Sequence, residues 1–277
     1  MTELSTGLSL SYAKFFLGFL LAVLVALLAW RARSLSSSGA WAAIITGGLI
    51  FGLGGLPWAA LLLTFFISSS ALSKAFTRRK AALNEKFSKS SRRDWEQVLA
   101  NGGLGVFLVL VYFVFSEKDW IWAAYAGAMA AVNADTWATE VGVLSRKPPR
   151  LITTGKVVER GTSGGITLAG SLAAFLGSLL VGCVAAVFRP VSNTFLFILA
   201  ASLGGLAGSL VDSLLGASVQ GIYACPSCEK ETERHPLHSC GTVTVHLRGW
   251  RWMNNEIVNF ACSLAGAIFA VLLWVFV

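Results

Sequence analysis

The sequence predicts an all-α fold, a polytopic transmembrane helical bundle of about eight spans. Three observations lead to this prediction: the chain of 277 residues is 55% hydrophobic, it is only 13% charged, and its mean hydropathy is +0.69. Soluble domains carry about 25% charged residues, so this composition excludes an ordinary soluble enzyme. We expect one integral membrane domain that covers residues 1–277.

The apolar runs have the length that a bilayer requires. A hydrocarbon core of about 30 Å takes about 20 helical residues. The predicted spans are 10–31, 38–54, 57–76, 95–116, 119–144, 165–188, 193–220 and 254–276. The second run is short and Gly-rich, which leaves a re-entrant segment open. The first run lacks a basic leader and a small-residue cleavage site, so we expect an anchor rather than a signal peptide.

The net charge of +8 is explained by topology. With eight spans, the basic loops all fall on one side, and the positive-inside rule assigns this side to the cytoplasm with both termini outside. The basic residues of these loops are Arg31, Arg33, Lys74, Arg78, Arg79, Lys80, Lys86, Lys89, Arg92, Arg93, Arg146, Lys147, Arg150, Lys156, Arg160, Lys230, Arg234, Arg248 and Arg251. Contact with phosphate or anionic lipid is the alternative explanation; nucleic acid is not an expected partner.

Carboxylates occur inside two predicted spans. The segment Asn133–Glu140 brings Asp135 and Glu140 into the fifth span, and Asp212 lies in the seventh. A bare carboxylate in hydrocarbon costs about 3 kcal/mol, so we expect these groups to line a polar cavity that opens to the cytoplasm. The other polar residues expected at this level are Ser68, Ser69, Ser70, Gln97, Asn101, Asn255 and Asn259. Hydrogen bonding between helices is the alternative role for such groups.

The loop after the fifth span is rich in glycine, hydroxyl and basic residues. Glycine allows close approach of backbone to an oxyanion, and a helix start offers free N–H groups. The relevant residues are Arg150, Thr153, Thr154, Lys156, Arg160, Gly161, Thr162, Ser163, Gly164 and Gly165. The loop resembles a phosphate cradle in kind, but it lacks the Walker pattern, and an ordinary Gly-rich turn with basic flanks fits equally well.

A Cys/His cluster occupies the loop between the last two spans, residues 221–253. Cys225, Cys228 and Cys240 together with His238 form a Cys₃His set that suits tetrahedral zinc. His235 is the alternative fourth ligand. Because the set leaves no open position, we expect a structural zinc ion in a cytoplasmic insert. The remaining cysteines, at positions 183 and 262, are expected to be core residues.

Several motifs together resemble one known family. They are Ser68-Ser69-Ser70, Arg93-Asp94-Trp95, Asn133–Glu140, Pro149–Thr154, Gly161–Gly165, Gly208-Ser209, Val211-Asp212-Ser213, Asn254-Asn255 and Val258-Asn259. Over residues 38–265 the chain resembles the integral membrane family that contains plant phytyl-phosphate kinase and a mammalian transmembrane protein. That family is distantly similar to polyprenol and dolichol kinases and to CDP-lipid synthases, which use CTP and Mg²⁺.

The resemblance implies a kinase that converts an isoprenoid monophosphate, such as phytyl phosphate, into the diphosphate with a nucleoside triphosphate, expected to be CTP. A phosphate monoester is already a nucleophile near neutral pH, since its second pKa is about 6. The protein would therefore mainly position and neutralise phosphates. The residues expected to bind Mg²⁺ or to take part in catalysis are Asp135, Glu140, Asp212 and Lys156. The residues expected to contact substrate or nucleotide are Asn101, Asn133, Arg150, Thr154, Arg160, Gly161, Thr162, Ser163, Gly164, Asn255 and Asn259.

Two other functions remain open from the sequence. An isoprenoid alcohol kinase or a CDP-lipid-forming nucleotidylyltransferase would need a general base, for which Asp135 and Asp212 are the candidates. A transporter would also use intramembrane acids. Gly204 and Gly208 form a GxxxG step that suits packing within the chain or dimerisation.

Overall fold

The computed structural model describes residues 2–80, 92–115, 118–189 and 191–276. Within these residues the chain forms seven helices and two small sheets. The helices are α1 Thr2–Arg31, α2 Ser37–Lys80, α3 Trp95–Phe115, α4 Asp119–Gly142, α5 Leu168–Phe188, α6 Thr194–Ser218 and α7 Asn255–Phe276. The part of the predicted basic loop that holds Lys86 and Lys89 lies outside the described residues. The predicted helical membrane bundle is confirmed.

Helix α2 contains two of the predicted spans and reverses direction between them. Gly55 has φ 72° and ψ −163°, a conformation that glycine adopts readily. The backbone N–H of Ser36 donates to the carbonyl of Arg93 at 2.9 Å, and the Arg93 side chain donates to Ser69 at 2.8 Å. In an unbroken helix Ser36 and Ser69 would lie about 50 Å apart at 1.5 Å per residue. The arms 37–54 and 56–80 therefore run antiparallel.

Helix α4 is the centre of the bundle. Every residue from Ile121 to Ala134 is buried, and α2, α3, α5, α6 and α7 all contact this helix. The other six helices are long and apolar enough to cross a membrane, whereas α4 is not among the helices that meet this criterion in the described residues. Because neighbouring helices surround α4, it tolerates polar groups that a lipid-facing helix would exclude.

Small residues allow α4, α6 and α7 to approach closely. A Cβ on Gly205 would lie 2.6 Å from that of Ala130, and a Cβ on Gly208 would lie 2.6 Å from that of Ala131. Gly204 and Gly208 both pack against α7, near Ala270 and Cys262 respectively. The GxxxG step is thus used for packing within the chain, as expected for small residues at helix interfaces in membranes.

Two small sheets lie at one end of the bundle. Strands β1 Arg150–Leu151 and β2 Gly165–Ile166 pair antiparallel between α4 and α5. Strands β3 Ile222–Cys225, β4 Lys230–Thr232 and β5 Val245–Arg248 form an antiparallel sheet with the order β4-β3-β5. This second sheet lies within the predicted insert, 221–253, and connects directly to the ends of α6 and α7.

Candidate active site

A polar cavity of about 300 Å³ lies where the β1–β2 loop and the insert meet the helix bundle. Helices α2 to α7 all contribute residues to its wall. The predicted site residues that line it are Asn101, Asp135, Glu140, Arg160, Gly161, Thr162, Ser163, Gly164, Asp212, Asn255 and Asn259. Most of the side chains that the sequence analysis grouped by depth therefore meet in one space.

The carboxyl groups of Asp135 on α4 and Asp212 on α6 lie close enough to share a hydrogen bond. Oδ2 of Asp212 is buried and has no hydrogen-bond partner among the described residues. The carboxylate of Glu233, from the insert, is near enough to repel both groups. Buried like charges are unfavourable unless a cation or protons compensate them, and oxygen ligands of this kind are those that Mg²⁺ and Ca²⁺ prefer. These residues therefore suit a divalent cation.

Glu140 lies at a separate corner of the cavity. Its Oε1 accepts a 2.7 Å hydrogen bond from the hydroxyl of Ser73, and its charge acts on Arg93. Arg93 donates to the hydroxyls of Ser69 at 2.8 Å and Ser70 at 3.1 Å. Burial lowers the pKa of Arg93 to about 10, against the opposing effect of Glu140. Arg93 thus stays cationic at neutral pH, within a network of hydroxyls and one carboxylate.

The glycine-rich loop rests on the end of α6. Gly164 has φ 82°, and a Cβ there would lie 2.5 Å from the backbone nitrogen of Ala217. Only glycine fits both the conformation and the contact. The Ser163 hydroxyl donates to Oε1 of Gln220 at 2.6 Å. Arg160 is exposed at the mouth of the cavity, where its side chain donates to the carbonyl of Ser145 at 2.9 Å.

The helices that line the cavity approach it with different ends. Helices α4 and α6 end near it and carry the acidic pair, whereas α5 and α7 begin at it and contribute Gly170 and Asn255 to the wall. A helix C-terminus favours cations and an N-terminus favours anions, each by about 0.3–1 kcal/mol at exposed sites. The arrangement can hold a cation and an anionic group side by side.

Four predicted site residues lie elsewhere. Arg150, Thr154 and Lys156 are exposed on the β1–β2 hairpin, where Arg150 donates to the carbonyl of Gly155 at 2.8 Å. Asn133 is completely buried: it donates to the carbonyl of Gly177 at 2.8 Å and accepts from Ser68 at 2.9 Å. These contacts tie α4 to α5 and α2, so Asn133 links helices and does not line the cavity.

Several cavity residues were missed by the sequence analysis as site residues. Gln97 was expected at the level of the cavity and Arg93 was counted among the basic loop residues, but neither was named as a site residue, although both line the wall. Ser73, Gln220 and Glu233 carried no periodic or motif signal. Glu233 lies in a polar segment with many charges, so nothing in the sequence distinguished it from a solvated residue.

The Cys/His cluster forms a compact ligand set. The ligand atoms of Cys225, Cys228, His238 and Cys240 all lie within 4.8 Å of one another. Tetrahedral zinc with Zn–S bonds of about 2.3 Å separates its sulfur ligands by about 3.8 Å, so the set can hold a metal ion. The alternative ligand, His235, instead stacks on Tyr223 with ring centroids 4.4 Å apart.

The thiols of this cluster differ in acidity. Hydrogen bonding with Thr242, and secondarily with His238, lowers the pKa of Cys240 to about 5. Hydrogen bonding with Cys240 and Cys225 raises the pKa of Cys228 to about 11. Cys240 therefore offers a thiolate at neutral pH, whereas a metal must displace a proton from Cys228.

Comparisons with known proteins agree with this architecture. The family described as "Integral membrane protein DUF92" matches residues 20–267. Protein PGR of Arabidopsis thaliana is 34% identical over 263 residues, 87% of this chain and 89% of that protein. An uncharacterized membrane protein of Methanocaldococcus jannaschii is 32% identical over 263 residues, 94% of each chain. Protein VTE6, chloroplastic, of Arabidopsis thaliana is 27% identical over 252 residues, 88% of this chain and 66% of that protein.

No solved structure matches the chain. The family match covers most of the sequence, including the acidic helices, the glycine-rich loop and the insert. It confirms the resemblance found from the motifs, to the membrane family that contains plant phytyl-phosphate kinase. The protein is accordingly a multi-pass member of the integral membrane family DUF92.

Proposed function

We propose that this protein is a membrane kinase that transfers a phosphoryl group from a nucleoside triphosphate, CTP in the first instance, to an isoprenoid monophosphate such as phytyl phosphate. The product would be the diphosphate. The observation that carries the proposal is the pairing of Asp135 with Asp212 in a cavity that the glycine-rich loop also lines. The family resemblance supplies the substrate class.

The acidic pair is the proposed Mg²⁺ site. Asp135 and Asp212 would supply ligands from two different helices, the partnerless Oδ2 of Asp212 is an oxygen available to the cation, and Glu233 adds negative charge. When bound, Mg²⁺ would neutralise the phosphates and hold them in line. Glu140, which the sequence analysis grouped with this pair, is assigned instead to the orientation of Arg93, because it accepts a hydrogen bond from Ser73 and its charge acts on Arg93.

The other residues would position the two phosphate-bearing substrates. Thr162 and Ser163 offer hydroxyl groups next to the loop backbone, and Arg160 at the mouth offers a cation for the nucleotide phosphates. Asn255 and Asn259, one turn apart at the start of α7, offer amide donors on the same wall. The monophosphate is itself the attacking nucleophile, so the site needs no general base, and none of the described residues that line the cavity is a histidine.

Charge distribution supports a cytoplasmic position for the cavity. The loop residues Arg93, Arg150, Lys156 and Arg160 lie at the same end of the bundle as the cavity, and the positive-inside rule directs such loops to the cytoplasm. This orientation would give the site access to cellular nucleotides while the isoprenoid remains in the bilayer. The Cys₃His set is proposed to hold zinc in a structural role.

The test is turnover by the purified protein in lipid. Phytyl or geranylgeranyl phosphate is supplied with Mg²⁺ and, separately, with CTP, ATP, GTP or UTP, and products are weighed by mass spectrometry. A gain of one phosphate by the monophosphate supports the proposal. Absence of diphosphate with every nucleotide, in preparations that remain folded, overturns it.

Assays with other substrates distinguish this kinase from the alternative functions. Gain of a phosphate by the free alcohol alone, or gain of a whole nucleotide by the monophosphate, would replace this proposal with the alcohol kinase or the nucleotidylyltransferase. Uptake of isoprenoid phosphate into vesicles without any nucleotide requirement would replace it with the transporter.

A further inference from the structure

A second, smaller cavity of about 70 Å³ lies between α1, both arms of α2 and α3. Its wall is almost entirely apolar, and small side chains such as Ala22, Ala26 and Ala43 keep it open. We call it the apolar groove. The larger side chains that line it are Val25, Leu35, Phe51, Leu62, Leu63, Phe65, Phe66 and Val98.

The apolar groove and the polar cavity meet at three residues. Arg93, Gln97 and Asn101 line both spaces. Gln97 and Asn101 are one turn apart on α3, and the Asn101 amide donates to the Gln97 carbonyl at 2.9 Å. The boundary between the polar cavity and the apolar groove is therefore formed by one cation and two amides.

Arg93 is held firmly at this boundary. Its guanidinium carbon lies 5.2 Å from the Phe65 ring centroid and 5.4 Å from that of Phe66, both of which also line the groove. Its hydrogen bonds to Ser69 and Ser70 fix its orientation further. Both rings lie within the distance at which a guanidinium and an aromatic face attract each other. A fixed cation with aromatic rings on one side and a polar cavity on the other suits a ligand that is anionic at one end and apolar beyond it.

We propose that the apolar groove holds the first part of the hydrocarbon chain of a lipid phosphate, with the phosphate beside Arg93, Gln97 and Asn101. The kinase reaction of this lipid rests on the proposed function, whereas the binding does not. The groove is too small for a whole isoprenoid chain, so the remainder would extend between the helices into the bilayer. Because Arg93, Gln97 and Asn101 line both spaces, the groove adjoins the polar cavity and is not an isolated void in the bundle.

The test places a large side chain in the groove and measures the binding of a lipid phosphate in the absence of nucleotide. Ala43 lines the groove, whereas its neighbour Ala42 does not, so Ala43→Phe and Ala42→Phe form a matched pair. Geranylgeranyl phosphate with a photoreactive diazirine in its first isoprene unit is bound to each purified protein in lipid, irradiated, and mapped by mass spectrometry. Unlabelled geranylgeranyl phosphate and inorganic phosphate are the competitors.

We expect label on groove residues of the native protein, displaced by the unlabelled lipid phosphate and not by inorganic phosphate. Ala43→Phe should weaken binding about tenfold or more, equivalent to about 1.4 kcal/mol, and Ala42→Phe should not. Label distributed outside the groove, or equal binding by the two variants, overturns the inference.

The same experiment separates this inference from the kinase proposal. Label confined to the groove in a protein that makes no diphosphate would leave the binding site in place and remove the proposed reaction. Diphosphate synthesis that is identical in Ala43→Phe and Ala42→Phe, with label elsewhere, would leave the reaction in place and remove the groove as the lipid site.

Discussion

Gln220 donates a 3.0 Å hydrogen bond from Nε2 to Oε1 of Glu233. Gln220 directly follows α6, is 2% exposed, and accepts at its own Oε1 from the hydroxyl of Ser163 at 2.6 Å. One buried amide therefore joins the glycine-rich loop to the insert. Through this contact the insert fixes the position of an acidic side chain beside Asp135 and Asp212, which makes its folding relevant to the cavity.

Replacing Glu233 tests whether its charge contributes to the cation site. Glu233→Gln keeps an oxygen that can accept from Gln220 and removes the charge. We expect the Mg²⁺ concentration required for half-maximal turnover to rise at least tenfold, because a unit charge about 10 Å from a divalent cation is worth on the order of 3 kcal/mol at an effective dielectric of 20. The measurement is a Mg²⁺ titration of turnover.

Glu231→Gln is the matched control, since Glu231 is exposed on β4 in the same insert. It should leave the Mg²⁺ requirement unchanged. Equal requirements in the two variants would show that Glu233 serves the insert alone. Bound metal in the Cys/His cluster should be the same in both variants and in the native protein.

Removal of the metal from the Cys/His cluster should unfold the insert. Its ligands hold together a small sheet with little core of its own, and in such domains metal binding supplies much of the folding free energy. Cys228→Ser, or a strong chelator, should therefore reduce zinc content and lower turnover about tenfold or more, with the helical circular dichroism retained. Cys183→Ser is the control, because Cys183 lies on α5 outside the cluster.

Acid should release the same metal. The pKa of Cys240 is lowered to about 5. This thiol is therefore ionised at neutral pH, and its protonation begins only as the pH falls towards 5. Protons then compete with the metal for the ligands. We expect zinc content, measured after gel filtration, to be constant near neutral pH and to fall on acidification below the pKa of the metal-free thiol, because the bound metal itself holds the thiolate. Equal zinc content in the native protein and in Cys240→Ala over this pH range would contradict this assignment of the ligand.

Neutralising the acidic pair should separate activity from stability. Asp135→Asn and Asp212→Asn each remove a proposed Mg²⁺ ligand, and we expect turnover to fall at least a hundredfold, about 2.7 kcal/mol. Without Mg²⁺ the thermal midpoint should not fall, because each variant also relieves repulsion between buried carboxylates. Asp119→Asn, at the exposed opposite end of α4, should change neither quantity appreciably.

The sequence was sufficient for the helices and for much of the site because both follow simple spacing rules. Asp135 and Asp212 were grouped by counting residues from the start of each span, and depth in a bilayer is close to linear in residue number. The same counting placed Asn101 and Asn259 at the cavity. It grouped Glu140 with the pair as well, although rotation about the helix directs Glu140 towards Ser73 and Arg93.

The sequence did not predict which side chains face the cavity where this depends on the packing of elements that are distant in the chain. The motif Asn133–Glu140 and the family resemblance assigned Asn133 to the site, but whether it faces the cavity or a neighbouring helix depends on the packing of α5. The loop that contains Lys156 has the composition of a phosphate-binding loop. The β1–β2 hairpin nevertheless holds Lys156 on the exposed surface, outside the cavity. Glu233 reaches the cavity only because the insert folds back over α6, and no local pattern encodes that return.

Asn133 and Asn101 should respond to truncation in opposite ways. Asn133→Ala breaks two buried hydrogen bonds between helices, so we expect the free energy of unfolding in detergent to fall by about 0.6–2 kcal/mol, with specific activity of the folded fraction preserved. Asn101→Ala, in the cavity wall, should lower turnover with a smaller loss of stability. A catalytic role for Asn133 would instead appear as lost turnover at unchanged stability.

Gly164 is the position at which one methyl group should most affect the loop. At φ 82° an alanine is strained, and its Cβ would lie 2.5 Å from both the nitrogen and the Cβ of Ala217, so the loop must move off the end of α6. Displacement of Thr162 and Ser163 from the cavity should lower turnover about a hundredfold, since misplacement by about 1 Å commonly has an effect of that size. Gly103→Ala is the matched control: a Cβ there meets nothing within 4 Å, and alanine in a helix is favoured over glycine by about 1 kcal/mol. Equal turnover in the two variants, measured with the same lipid phosphate and Mg²⁺, would show that the loop does not contact the reacting phosphates.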